Sequence, residues 1–137
     1  MKYKLTGETK IDFGRTLHKI VCVTAFANVT AGEYGGWIES EKNLDQYGDA
    51  WVYGNAKVCG NAKVCGDADY IVLKNNWSSG RYFTYTLSNK MWKVGCFYGT
   101  GEELIKKAYL DSEISWKCYE ASVRYVETLL NIKREVK

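Results

Sequence analysis

One segment constrains this chain more than any other: GDAWVYGNAKVCGNAKVCGDADY, residues 48–70, in which glycine returns at 48, 54, 60 and 66. Each of these glycines is followed by Asn or Asp and then by Ala. Val52, Val58 and Val64 form one track six residues apart, with Tyr70 next in phase. Ala50, Ala56, Ala62 and Ala68 form a second track two residues earlier. A helix needs apolar residues three and four apart, and a plain strand alternates every two. Spacings of two and four in turn, with Gly-Asn or Gly-Asp between, suit short strands joined by tight turns. Glycine and Asn tolerate the left-handed backbone angles that such turns require.

Repeated hexads of this kind build a β-helix, in which three hexads make one triangular coil and stacked coils pair their strands. Residues 25–71 leave room for roughly two and a half coils of about eighteen residues each. So short a solenoid cannot bury its own ends. KIVCVTAF (19–26) is therefore expected as a first buried rung, and the C-terminal half as the closing element. After Tyr70 the period changes. YIVL, RYFTYTL and MWKVGCFY read as strands, with SNK (88–90) as a hairpin loop. Thr100 and Glu103 make a capping box that opens a helix to about residue 110. A longer helix is expected at about 112–132, where Trp116, Tyr119, Val123, Val126 and Leu130 form one apolar stripe.

Hydrophobic residues make up 46% of the 137, enough for a chain of this length to fold alone. Its five cysteines (Cys22, Cys59, Cys65, Cys96, Cys118) include no CxxC, and the N-terminus MKYKLTGETK is polar. A reduced, cytoplasmic protein is the expectation. The longest apolar runs are too short to span a bilayer, so no membrane partner is expected. With His18 as the only histidine, neither a metal nor a cofactor is expected. The net charge of +3 hides an asymmetry. Residues 31–70 carry Glu33, Glu39, Glu41, Asp45, Asp49, Asp67 and Asp69 against three lysines, while both flanks are basic.

The hexads, together with AFANVTAGEYGGWIES upstream of them, resemble the left-handed hexapeptide-repeat superfamily. More narrowly, GEYGGWIESEKNLDQYGDAWVYGNAKV is similar to segments of short phage- and prophage-type proteins. The resemblance covers about half of the chain. The fold it implies is α+β and mainly β: a short left-handed parallel β-helix, then a small antiparallel sheet and two C-terminal helices. Residues 1–71 would hold the N-terminal strands and the β-helix. Residues 72–137 would hold the hairpin and two-helix cap, the whole forming one compact unit.

Three functions follow from these readings. The first is a non-catalytic protein that binds and inhibits a host protein complex, because small phage proteins often disable a bacterial defence system, as anti-CRISPR proteins do. Its partner would be a host effector that handles nucleic acid. Glu39, Glu41, Asp45, Asp49, Asp67 and Asp69 would offer an acidic face, and Trp77, Arg81, Tyr82, Tyr85 and Trp92 a second contact surface. Direct nucleic-acid binding ranks lower. The second is a small acyltransferase, as the superfamily implies, with His18 as base. The third is a structural module that assembles with copies of itself through unpaired strand edges. Two short segments suggest anion sites and are better read structurally: SSGR (78–81) as a polar turn and YGTGEEL as a helix cap.

Overall fold

Asp12 and Arg15 pair across a two-residue turn in which Phe13 (φ 50°) and Gly14 (φ 84°) both take left-handed angles. The twist of such a turn matches that of two antiparallel strands. It joins β1 (Tyr3–Asp12) to β2 (Arg15–Cys22) in a hairpin absent from the sequence-based expectation. β2 pairs antiparallel with β3 (Tyr34–Ile38), and β3 pairs parallel with β4 (Lys57–Val58). The second sheet, β5 (Tyr70–Lys74), β6 (Tyr82–Thr86), β7 (Met91–Val94) and β8 (Phe97–Gly99), is antiparallel throughout. This computed structural model describes residues 1–136, all but the side chain of Asp67.

The hexads do not coil into a left-handed parallel β-helix. Among the described residues, parallel pairing is limited to Trp37 with Lys57 and Ile38 with Val58, plus an isolated bridge between Leu44 and Val64. The other edge of β3 is filled by β2 running antiparallel, so no further coil can stack there. KIVCVTAF is likewise no rung, since its first four residues belong to the hairpin. What the period does decide is which side chains point inward. Ala50, Val52, Ala56, Val58, Ala62 and Val64 are at most 1% exposed. They share a core with Ile20, Ile38, Leu44 and Trp51. Ala68 falls out of its track and is exposed.

The C-terminal half follows the expected pattern more closely. Thr100 caps α1 (Gly101–Asp111), its hydroxyl accepting from the Glu103 amide while the Glu103 carboxylate accepts from the Thr100 amide. α2 (Glu113–Glu135) lays Tyr119, Val123, Val126 and Leu130 against Phe83, Tyr85, Trp92 and Leu104. Trp116 leaves that stripe and stacks on Tyr109, ring centroids 5.7 Å apart. Among the described residues, no helix is long and apolar enough to cross a membrane.

The two sheets meet where the hexads would otherwise present an open edge. Lys57 donates its backbone N–H to Thr84 Oγ1 (3.2 Å) and Lys63 donates its own to Ser88 Oγ (2.8 Å). The Tyr98 hydroxyl donates to the Cys59 carbonyl (3.2 Å). Side chains of the second sheet thus satisfy backbone groups that another rung would have used.

Candidate functional site

Strand alternation splits the first sheet into two faces. Ile20, Ile38 and Val58 point into the core, while Lys10, Asp12, Leu17, Lys19, Trp37 and Lys57 share the other face. That face turns toward the second sheet. Asp12 accepts from Lys57 Nζ (3.0 Å) and from Lys93 Nζ of β7 (3.3 Å). Lys93 is 5% exposed, donates also to the Gly95 carbonyl and lies over the Phe13 ring. Lys10 Nζ stands 4.1 Å from the Trp37 ring centroid and Lys19 Nζ 5.2 Å from it. Arg81 and Tyr82, at the start of β6, line a cleft together with Lys10, Asp12, Trp37 and Lys57, as do Gly54 and Asn55. The cleft has a volume of about 240 Å³.

Its electrostatics are lopsided. Burial opposes ionisation of Asp12, but hydrogen bonds and charge from Lys57 and Lys93 outweigh it and hold the carboxyl below its usual range. Lys10 is pushed below the ordinary lysine value, first by burial and next by the charge of Lys57. The signs are opposite in effect. Asp12, lowered in the fold, stabilises it above the carboxylate's unfolded pKa, and that contribution fades as pH falls through the folded value. A plot of unfolding free energy against pH should therefore lose an acid-side contribution below about pH 4 that Asp12→Asn lacks. Superimposable curves would rule out the pairing.

Most residues expected to meet a partner are engaged within the fold. Glu39 accepts from Arg15 (3.0 Å) and from the Gly60 amide (2.7 Å). Asp69 accepts from the Cys65 and Gly66 amides (2.8 and 2.9 Å), and Asp45 from the Tyr47 amide. Glu41 and Asp49 are exposed, while the side chain of Asp67 lies outside the described residues. Tyr85 and Trp92 are core residues, and Trp77 is half-buried against Phe83 and Tyr119. Only Arg81 and Tyr82 of that group reach the cleft. The SSGR turn is held internally, with the Ser78 and Gly80 amides bonded to Asn75 and the Arg81 amide to Ser79.

Sequence reasoning missed Lys10, Asp12, Phe13, Lys19, Trp37, Lys57 and Lys93. Their only trace in the sequence is the lysines scattered over β1, β2, β4 and β7, and nothing there shows that those strands converge. His18 lies half-buried in β2, on the face opposite Lys19. Burial pushes the Cys59 thiol up to about 11, so it stays protonated at neutral pH and makes a poor nucleophile. Among the described residues, no three His, Cys, Asp or Glu side chains gather into a metal site. No family model matches the chain, and no curated protein matches it in sequence.

Proposed function

We propose that this is a binding protein for an anionic partner, held in the cleft between the two sheets. The observation that carries the reading is the cation excess around Asp12. Lys57 and Lys93 share that one carboxylate, and Lys10 and Lys19 stand over Trp37 with no ion pair among the described residues. Cations held this close repel one another and cost stability. A partner that brings negative charge offsets that cost.

A host defence complex that handles nucleic acid carries such charge in its phosphates, and the likeness to short phage proteins favours a partner of that kind. Under this reading the contact surface moves from the acidic turns to the basic cleft, because Glu39, Asp45 and Asp69 already serve the fold. Acyl transfer draws no support from His18, which faces away from the cleft.

Lys10→Glu with Lys19→Glu tests the reading, since neither lysine holds an ion pair that the fold needs. With heparin as a generic polyanion, the double variant is expected to bind at least about tenfold more weakly than the parent at low salt. Its thermal unfolding midpoint should not fall, because the change removes cation–cation repulsion and breaks no ion pair among the described residues. Equal affinity in the two proteins would sink the proposal.

A further inference from the structure

The cleft does not end at Arg81. A second lobe of about 300 Å³ continues from it, and the two share Phe13, Arg81, Tyr82 and Gly95 as common walls. The lobes differ in chemistry. The first is lined by Lys10, Lys57 and the shared Arg81. The second is lined by the apolar side chains of Phe83, Phe97 and Leu104, with Ser78, Ser79 and Asp111 among its polar groups. Lys107 and Asp111 also line it with opposite charges, which leaves the shared Arg81 as its one excess cation, against Lys10, Lys57 and Arg81 over Asp12 in its neighbour.

We infer that the two lobes take adjacent parts of one single-stranded nucleic acid, the phosphate in the first and an unpaired base in the second. This deepens the anion-binding reading and rests on it. A nucleic acid repeats a charge and a flat ring at short, regular separation, which is the order in which the lobes present cations and apolar walls. A purely acidic partner would fill the first lobe and leave the apolar one empty. A duplex keeps its bases stacked inside and offers no ring face to Tyr82, whereas a single strand does. The ammonium groups now over Trp37 do not block the site. A phosphate oxygen holds an ammonium more strongly than a half-exposed ring does, so the long lysine stems swing toward the strand when it binds.

The experiment compares three probes by fluorescence anisotropy or competition: a labelled oligothymidine, a duplex of equal length, and inorganic polyphosphate. The full chain is used alongside Tyr82→Ala and Arg81→Gln, both changes at exposed positions. The oligothymidine should bind more tightly than the duplex, and its affinity should fall with salt with a log–log slope of about −2. Tyr82→Ala should weaken oligothymidine roughly tenfold while leaving polyphosphate affinity unchanged. Arg81→Gln should weaken both. Equal binding of all three probes, insensitive to Tyr82→Ala, would overturn the base-binding inference and leave the anion-binding reading standing. No binding of any probe at low salt would overturn both.

Discussion

Replacing Asn43 by Ala is expected to remove about 3 kcal/mol from the unfolding free energy. The side chain is fully buried at 0% exposure, yet every polar valence it has is used. Nδ2 donates to the carbonyls of Gly60 (3.2 Å) and Ala62 (2.8 Å), and Oδ1 accepts from the amides of Glu39 (3.1 Å) and Ser40 (2.9 Å). One amide group therefore ties the turn after β3 to the hexad that begins at Gly60. An alanine takes this partner from up to four backbone groups, of which the bond to the Ala62 carbonyl is buried and the other three are part-buried. The Glu39 amide keeps its bond to the Val58 carbonyl, which limits the loss. Each remaining buried, unpaired group costs about 1–3 kcal/mol, so the sum exceeds an ordinary surface change several-fold. Chemical denaturation should show a lower midpoint with an unchanged m-value. A loss under about 1 kcal/mol would mean that Asn43 does not hold the turn to the hexads.

Gly36→Ala is the second large effect, and its cause is steric. β3 lies so close to the hexad chain that a Cβ at Gly36 would sit 2.8 Å from the Ala56 carbonyl oxygen and also press on the Tyr53 carbonyl. Backbone oxygens cannot swing aside as a flexible side-chain tip does. β3 would have to lift, straining the bonds from the Gly36 amide to Val52 (2.7 Å) and from the Trp37 amide to Ala56 (3.0 Å). The expected loss is about 3 kcal/mol, at the upper end for an overpacked site. Because Trp37 follows directly, polyanion binding should weaken as well. Gly54→Ala is the control: a Cβ there meets nothing within 4 Å, so its effect should stay within about 0.5 kcal/mol. Similar melting curves for the two variants would refute the close-approach argument.

The local features were legible in the sequence because each depends on neighbours along the chain. The two apolar tracks of the hexads named six core side chains, Ala50 to Val64, because burial follows the direction in which successive residues point. Thr100 and Glu103 announced the start of α1, and the spacing of Tyr119, Val123, Val126 and Leu130 announced the buried face of α2. The hairpin loop at 88–90 was legible for the same reason.

Pairing between distant strands was decided only in the tertiary structure. A six-residue period states which way Val52, Val58 and Val64 face, but not which strand lies beside β4 or in which direction it runs. That choice belonged to β1 and β2, whose hairpin took the free edge of β3 and left the parallel ladder two residues long. The basic cleft arises in the same way. Lys10, Lys19, Lys57 and Lys93 are unremarkable in their own segments, each a lysine on a strand. Their convergence on Asp12 and Trp37 is set by register across two sheets. Periodicity is a short-range property that residue types impose on the backbone, whereas a charge cluster depends on which long-range pairing wins the competition for strand edges.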